Sequence, residues 1–473
     1  MFLLPFLGRP ASAAEGPRLV ILAVDRLTLG DLLGDHGPNL RRLVAEGACG
    51  LMTTRSIGGL SPEKIYLSIG AGEPQTSLPG FGGLAFDARE PYQGLPAEEA
   101  YRLQHGKVPL DAEVFHLGLA GLAAANAQTG LPNRMGRLGE ALRAHGLCPA
   151  VIGNADAGEK YGREGVLLLM DREGRVALGH IGRDTLRPDP SFPGGRRTDY
   201  AVLGRDYDRV AAQADVILVI LGDLVRIHAE SPVLTPKMLA FHLSLALNRL
   251  DQFLGYLMAS PRRPQTILLF AASPPLARLA LGERLVPAVV WGDGFPPGLL
   301  YSSTTRLAGL LTPYDLTATI AACCGLNPAL LTAGRPLTVV PGSPAAVLPG
   351  FYAELVRNFQ QREPFFFFYG SLLLATALVA LGPVFLARRL RALAESAATA
   401  FLGLAVVPAL LLFFALLPLG PLWRTLLTII PTAFLCGWLL EKTWPCPRKH
   451  LACAGLFVAL PVLADVLLGS RLL

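Results

Sequence analysis

Five apolar runs along the chain have the pattern of buried β-strands, and each is followed by a polar residue. The runs cover residues 18–24, 149–153, 215–222, 266–272 and 286–292. They are continuous rather than alternating, which is typical of strands buried on both faces, as in parallel α/β sheets. The polar residues after them are Asp25, Asn154 with Asp156, Asp223, Ser273 and Asp293. Because ligands gather where parallel strands end, the pattern predicts a shared site suited to a cation or a phosphate–metal complex.

Helical segments alternate with these runs, which predicts a doubly wound α/β fold with a mainly parallel sheet over residues 18–345. The predicted helices cover residues 38–46, 133–145, 236–260 and 312–324. Thr312 followed by Pro313 and Asp315 is typical of a capped helix start. Residues 76–128 are rich in Gly, Pro and Ala without a clear period, so we expect a lid or an inserted loop there.

The last quarter of the chain consists almost entirely of apolar residues. Four apolar segments cover residues 364–387, 399–420, 425–440 and 451–470. Each approaches the roughly 20 residues that span a bilayer. They lack the polar face that a helix of a soluble bundle needs. Residues 364–473 are therefore predicted to form a transmembrane domain of about four helices, joined to residues 18–345 by a linker at 346–363.

The flanking charges predict how this domain is oriented. Basic residues follow the first and third segments: Arg388, Arg389, Arg391, Lys442, Arg448 and Lys449. The positive-inside rule places those two connections in the cytoplasm. The large N-terminal domain is then expected outside the cytoplasmic membrane of a prokaryote, in a multi-pass protein. Residues 1–17 resemble the end of a secretory signal peptide, and the alternative is a disordered lead-in.

Composition narrows the class of protein further. Hydrophobic residues make up 52% of the 473 residues and charged residues only 16%, which is too apolar for an ordinary soluble protein. The net charge is +6, but no dense basic run is interleaved with aromatic residues, so nucleic-acid binding is not expected. The seven cysteines form no metal-binding pattern. No nucleotide cofactor is predicted, and the sequence does not indicate which protein partner the chain has.

Two positions early in the chain are candidates for chemistry. Asp25 is either a turn cap or a metal ligand, and the local pattern leaves both open. Ser61 precedes Pro62 and Glu63, which is a standard helix start with serine at the N-cap. A hydroxyl at a helix N-terminus lies in a positive field, so Ser61 is also a candidate nucleophile toward a phosphoryl group. Thr53, Thr54 and Ser56 compete for that role.

Two further candidates follow the most apolar strand. Asp223 and His228 lie five residues apart on the segment that leaves residues 215–222. A carboxylate and an imidazole in this position form a candidate metal-binding pair. The ordinary alternative is that His228 is only a polar residue of a loop.

The order of these elements resembles the alkaline phosphatase superfamily, which includes sulfatases, phosphodiesterases and lipid-linked phosphoethanolamine transferases. The matching features, over roughly residues 18–326, are the strand before Asp25, the helix start at Ser61, the segment from Asp223 to His228, and a late block from Ser303 to Ile320. The resemblance implies an alkaline-phosphatase-like fold. It also implies a substrate that is a phosphate ester, a sulfate ester or a lipid-linked form of one.

The resemblance implies roles for individual residues as well. Ser61 matches the nucleophile, Asp25, Asp223 and His228 match metal ligands, and Arg306 in the late block matches a substrate-binding position. Family members use two metal ions, usually zinc or manganese, to activate the nucleophile and neutralise the oxyanion.

The chain departs from the family where further ligands are expected. The run that should end in Ser-Asp-His-Gly reads Ala272-Ser273-Pro274-Pro275, and no histidine lies between Val286 and Ser303. Too few ligands remain for a tight two-metal centre, so zinc or manganese binding is expected to be weak or absent. Two functions stay open: a membrane-anchored ester hydrolase or transferase with a degenerate metal site, and a catalytically inactive member that acts as an envelope binding or scaffold module.

Overall fold

The computed structural model describes residues 18–106, 111–260, 264–385, 391–407, 410, 422–443, 455–456, 459–460 and 463. The chain divides into two compact units, Met1–Tyr352 and Ala353–Leu473.

The strands are β1 (Leu19–Ala23), β2 (Ala48–Thr53), β3 (Ala85–Asp87), β4 (Pro91–Tyr92), β5 (Leu95–Pro96), β6 (Val114–His116), β7 (Pro149–Ile152), β8 (Arg175–Val176), β9 (Leu178–His180), β10 (Leu186–Pro188), β11 (Arg196–Thr198), β12 (Val216–Ile220), β13 (Thr266–Phe270), β14 (Leu285–Gly292), β15 (Gly298–Tyr301), β16 (Leu310–Leu311) and β17 (Thr338–Val340).

The α-helices are α1 (Leu29–Leu33), α2 (Pro38–Glu46), α3 (Pro62–Ala71), α4 (Ala97–His105), α5 (Leu119–Gln128), α6 (Arg137–Ala144), α7 (Val166–Leu169), α8 (Tyr200–Ala211), α9 (Asp223–Ala229), α10 (Pro236–Ala259), α11 (Leu276–Ala280), α12 (Pro313–Cys323), α13 (Pro344–Phe385), α14 (Arg391–Ala405) and α15 (Leu422–Thr443). Short 3₁₀ helices cover Arg183–Thr185, Ser231–Val233 and Pro328–Leu330.

A mixed, mainly parallel sheet of ten strands forms the centre of the first unit. Its order is β17-β15-β2-β14-β13-β1-β12-β7-β9, with β16 also paired to β2. β1 pairs in parallel with β12 and β13, and β7 pairs in parallel with β12 and β9. Every residue of β1, β7, β12 and β13 is buried, as their continuous apolar runs predict. The prediction of an α/β fold with a mainly parallel sheet is confirmed.

The sheet corrects one part of the predicted shared site. β14 is antiparallel to β13, and Thr266 at the start of β13 pairs with Gly292 at the end of β14. Asp293 therefore lies at the opposite edge from Asp25, and its backbone N–H donates to the Gln265 carbonyl. Continuous burial looks the same in a parallel and an antiparallel strand, so the sequence pattern did not reveal this reversal.

The segment 76–128 is not the loop that its composition suggested. It contributes β3 and β6 together with α4 and α5, and β6 pairs with both β3 and β8 in a small sheet. Phe86, Tyr101 and Phe115 are buried in an apolar cluster of their own. These strands have two or three residues each, too short for a hydrophobic period to be recognised.

Helix α3 is fixed tightly against its neighbours, and it positions the candidate nucleophile. A Cβ at Gly70 would lie 2.2 Å from the Leu167 carbonyl oxygen, so only glycine permits the close approach of α3 to α7. The Thr317 hydroxyl of α12 donates to the Ile69 carbonyl at 2.7 Å. Both contacts hold the C-terminal half of α3, so the position of its N-terminus is set by the packed core.

In the second unit, α14 and α15 pack closely through small residues. A Cβ at Gly403 would lie 2.1 Å from the Ala433 carbonyl oxygen, and one at Gly437 would lie 2.4 Å from the Thr399 carbonyl oxygen. Thr399 and Gly403 are four residues apart, as are Ala433 and Gly437, which is the spacing of small residues at close membrane-helix crossings.

The structure supports the predicted four-helix transmembrane domain only in part. Among the described helices, only α15 is long and apolar enough to cross a bilayer, over Leu426–Thr443 with a mean hydropathy of 1.3. Residues 346–363, the predicted linker, lie within α13, which continues through the described part of the first predicted span. Most of residues 408–421 and of the predicted span 451–470 lies outside the described residues.

Candidate functional site

Five parallel strands, β13, β1, β12, β7 and β9, end at one side of the sheet, which we call the carboxyl edge. Asp25 follows β1, and Asp223 follows the neighbouring β12, with Ala23 paired to Ile220 in register. Adjacent strands lie about 4.8 Å apart, so the chain leaves the sheet at neighbouring positions before these two residues. The structure thus brings two of the predicted metal ligands to the same edge.

The Asp25 carboxylate is held by protein donors rather than left open. Its Oδ1 accepts the Ala272 N–H at 2.6 Å, and its Oδ2 accepts the Tyr66 hydroxyl of α3 at 3.1 Å. The Ser273 N–H also donates to this carboxylate. Burial raises the pKa of Asp25, and the positive charge of Arg26 and the hydrogen bonds to the carboxylate offset this rise only in part. Asp25 therefore connects β1, β13 and α3 as a buried anchor.

The Asp223 carboxylate is paired with an arginine one helical turn away. Its Oδ1 accepts from the Arg226 guanidinium at 2.9 Å and from the Thr198 N–H at 2.8 Å. Both side chains of the pair are almost fully buried. Arg226 also donates to the Asp156 carbonyl at 3.1 Å, so the guanidinium occupies the space beside the carboxylate. The Arg226 guanidinium thus neutralises the negative charge of Asp223, as a bound metal ion would.

His228 makes no described hydrogen bond or ion pair with Asp223. Burial lowers the pKa of His228, and the positive charge of Arg26 lowers it further, while Asp31 acts in the opposite direction. The imidazole therefore lies near the segment that follows β1. Arg26 itself donates to the Pro274 carbonyl at 2.6 Å and has a left-handed backbone with φ of 72°.

These residues do not fit the two-metal centre that the sequence resemblance implies. The oxygens of Asp25 accept from three protein donors, and Asp223 Oδ1 is committed to Arg226. Asp223 Oδ2 is the one carboxylate oxygen of this predicted set that is buried with no partner among the described residues. A single oxygen beside a guanidinium is far short of the four ligands of a zinc site.

Ser61 is the N-cap residue of α3, as predicted, but its side chain makes no capping hydrogen bond. The hydroxyl lines a cleft of about 770 Å³, which we call the Ser61 cleft. The cleft is bordered by residues 58–64, 76–80, 83–84, 159–161 and 164. Local helix capping, the ordinary explanation for a serine here, therefore does not account for this hydroxyl.

Charged groups surround the Ser61 cleft. Glu164 is partly buried, and the resulting desolvation raises its pKa to about 7; Asp25 and Glu63 reinforce this rise and Lys160 opposes it. Burial also raises the pKa of Glu63, whose carboxylate accepts the Gly82 N–H at 2.8 Å. Lys64 is buried, and its ammonium donates to the Gly58 carbonyl at 2.6 Å. The cleft thus combines a hydroxyl, a carboxyl that titrates near neutrality, and two lysines.

Tyr66 links this cleft to the carboxyl edge. It lies on α3 five residues after Ser61, and its hydroxyl donates to Asp25. Its ring packs edge-on against Phe270 at the end of β13, with 5.9 Å between the ring centroids. Asp25 therefore helps to fix the position of α3, the helix that begins after Ser61.

Arg306 lies on an exposed turn between β15 and β16 with φ of 58°. The block around it is held by Asp315, which accepts from the Ser302 hydroxyl at 2.8 Å and from the Thr312 N–H at 2.8 Å. Thr312 and Asp315 form the capping box that the sequence predicts at the start of α12. Ser302, Thr312 and Asp315 therefore have structural roles: they cap α12 and hold the preceding loop against it.

Sequence reasoning missed three residues of the Ser61 cleft: Lys64, Lys160 and Glu164. Lys64 belongs to the Ser-Pro-Glu-Lys helix start and could have been noticed there. Lys160 and Glu164 lie on the long connection after β7, at the carboxyl edge. That position was the available signal, because loops at this edge of a parallel sheet carry most ligand contacts.

No protein-family model matches the sequence, and no curated protein matches it. Solved structures do resemble it at low similarity. The lipoteichoic acid synthase LtaP from Listeria monocytogenes is 12% identical, covering 71% of this chain and 76% of that one, with a TM-score of 0.38. The phosphoglycerol transferase GacH from Streptococcus pyogenes is 12% identical, covering 67% and 77%, with a TM-score of 0.36.

The alkaline phosphatase of the Antarctic bacterium TAB5 is 8% identical, covering 66% of this chain and 99% of that one, with a TM-score of 0.34. These solved structures belong to the alkaline phosphatase superfamily, the group that the sequence motifs resemble. At this level of similarity they carry no information about the substrate of the present chain.

Proposed function

We propose that the first unit binds a phosphate or sulfate ester in the Ser61 cleft and that Ser61 is the nucleophile of a hydrolase or transferase. The observation that carries this proposal is the Ser61 hydroxyl. It lies at the start of a ten-residue helix, makes no capping bond, and lines a cleft together with Glu164 and Lys160.

The chemistry follows from the groups in the cleft. The free N–H groups and the dipole at the start of α3 attract the anionic ester. Ser61 Oγ bonds to phosphorus or sulfur, its proton passes to the Glu164 carboxylate, and the bond to the ester oxygen breaks as that oxygen takes the proton from Glu164. Water or an acceptor hydroxyl then loses its proton to Glu164 and takes the group from Ser61, whose Oγ regains the proton. A carboxyl that titrates near 7 suits this proton transfer.

Lys64 and Lys160 supply positive charge in this scheme. Lys64 is buried beside the glycine pair at 58–59, and Lys160 lies across the cleft on the connection after β7. The scheme routes no step through a metal ion, because the carboxylates of Asp25 and Asp223 accept from protein donors. The scheme therefore differs from the two-metal chemistry that the resemblance implies.

A second function is favoured by a separate observation. Asp25 and Asp223 keep their places at the carboxyl edge, but their carboxylates hold Tyr66 and Arg226. Carboxylates that accept from protein donors instead of binding metal are consistent with a catalytically inactive module. Such a module would bind an ester or an envelope partner. In that case the Ser61 cleft binds its ligand without turnover.

One experiment separates the two functions. The full-length protein is assayed in detergent with an aryl phosphate, an aryl phosphodiester and an aryl sulfate, and binding of inorganic phosphate and sulfate is measured in parallel. For the enzyme, Ser61→Ala lowers kcat at least 100-fold while Ser56→Ala, the competing upstream hydroxyl, retains it. Anion binding without turnover supports the inactive module. Turnover that survives Ser61→Ala, or a cleft that binds no anion, overturns the proposal.

We also propose that the second unit anchors the protein in the cytoplasmic membrane as a multi-pass domain, with the first unit outside the cytoplasm. The apolar length of α15 and the close packing of α14 against it support this assignment. A lipid-linked ester on the outer side of that membrane is then a candidate substrate. Cysteine labelling of intact cells with a membrane-impermeant reagent tests the topology: a cysteine at exposed Glu159 should react, whereas one at Arg391 should not.

A further inference from the structure

A second group of potential ligands lies outside the Ser61 cleft. Asp87, His180 and Asp184 each offer one ligand atom, and these atoms all lie within 4.8 Å of one another. We infer that they form a binding site for a divalent transition-metal ion, Zn²⁺ or Mn²⁺. No residue of this group takes part in the proposed reaction at Ser61.

The topology explains how the three residues meet. His180 ends β9, the edge strand of the sheet, so it lies at the carboxyl edge. Asp184 follows within the 3₁₀ turn Arg183–Thr185. Asp87 ends β3 of the small sheet, and its carboxylate accepts the Ile181 N–H at 2.9 Å and the Gly182 N–H at 2.8 Å, which holds the turn between the other two ligands. Unlike Asp25, it lines an open cleft, and each carboxylate oxygen has a second lone pair for an ion.

The imidazole of His180 is oriented for coordination. Its Nδ1 lies 2.7 Å from Asp206 Oδ2, a carboxylate on α8. Its Nε2 lies 3.0 Å from Asp184 Oδ1. A carboxylate that holds one ring nitrogen fixes the tautomer and presents the other to a metal, as the outer partners of metal-bound histidines do. Asp206 is thus a positioning residue.

The surroundings leave room for the ion and for a further ligand. The three residues line a cleft of about 960 Å³, which we call the His180 cleft and which shares Tyr161 with the Ser61 cleft. Three carboxylates, of Asp87, Asp184 and Asp206, lie around one imidazole and attract a cation, although Arg183 and Arg209 also line the cleft. The Asp184 side chain is 76% exposed, so an ion can enter from solvent and displace its contact with His180.

The donor set selects the class of ion. One imidazole nitrogen with two carboxylate oxygens suits zinc or manganese, whereas magnesium and calcium favour all-oxygen sites. Three protein ligands leave at least one coordination position for water or an anion from the cleft.

The test uses the full-length protein in detergent, stripped with a chelator and then equilibrated with Zn²⁺ or Mn²⁺ alone. Bound metal is measured by mass spectrometry of the elements after desalting, and affinity by calorimetry. We expect one equivalent of metal. His180→Ala and Asp184→Asn should each weaken binding at least 10-fold, and Asp206→Asn by about 10- to 100-fold. His145→Ala, an exposed histidine at the end of α6, is the matched control and should bind like the wild type.

Because Asp184 is exposed, Asp184→Asn keeps the test valid if His180→Ala fails to fold. Wild-type protein that takes up neither ion, or binding that both ligand variants leave intact, overturns the site and leaves the group as an ion-paired clamp. Ser61→Ala should bind the metal like the wild type, so failure of the proposed reaction and failure of this site are distinguishable.

Discussion

The most direct test of the electrostatics of the Ser61 cleft is Glu164→Gln. The substitution keeps the size of the side chain and removes its ability to ionise. Glu164 is the carboxyl whose pKa is raised to about 7, chiefly by burial, and Asp25 and Glu63 add to the effect. The variant therefore isolates the free energy of ionising one partly buried carboxyl.

The expected size follows from the two pKa values. The pKa rises from its usual 4.5 to about 7. At about 1.4 kcal/mol per pKa unit, this corresponds to on the order of 3 kcal/mol of unfolding free energy. Between pH 4.5 and 7 the folded state holds the proton and the unfolded state does not, so stability declines as pH rises through this window. Above about pH 7 both states are ionised and the loss is complete.

The measurement is chemical unfolding of the wild type and of Glu164→Gln at intervals from pH 4.5 to 8. The wild type should lose about 3 kcal/mol relative to the variant across this range, so the variant is favoured at pH 8. Glu159→Gln changes a fully exposed carboxyl on the same connection and should follow the wild type. A difference between wild type and Glu164→Gln that stays constant with pH would refute the assignment of a desolvated carboxyl with a raised pKa.

Two other predictions concern packing and the buried ion pair. Gly70→Ala places a Cβ 2.2 Å from the Leu167 carbonyl oxygen and should reduce the unfolding free energy by about 1 to 3 kcal/mol, measured by denaturant titration. Gly350→Ala, a helical glycine with no atom within 4 Å, should be neutral or stabilising, and an equal loss in both would contradict the packing argument. Asp223→Asn leaves the buried Arg226 guanidinium without its anion and should reduce the unfolding free energy by about 3 to 5 kcal/mol in the same assay, with Arg226→Met in the same chain recovering part of it. An unchanged stability for Asp223→Asn would show that Arg226 does not depend on this carboxylate.

Local patterns in the sequence determined the elements that depend on nearest neighbours. Continuous apolar runs identified β1, β7, β12 and β13, because burial on both faces excludes polar residues from a strand. The capping box of Thr312 and Asp315 marked the start of α12, because the bonds that define it join residues three apart. Ser-Pro-Glu marked the start of α3 in the same way.

Tertiary structure decided what those elements do together. The reversal of β14 moved Asp293 to the opposite edge, and sequence carries no sign of strand direction when a strand is buried on both faces. The partners of Asp25 and Asp223 are Tyr66 and Arg226, and only the fold shows that these donors occupy the places where a metal was expected. The neighbours of Ser61 and of His180 come from connections up to about a hundred residues away along the chain. Long-range pairing sets such sites, because the free energy that assembles them comes from packing of the whole sheet and not from any local segment.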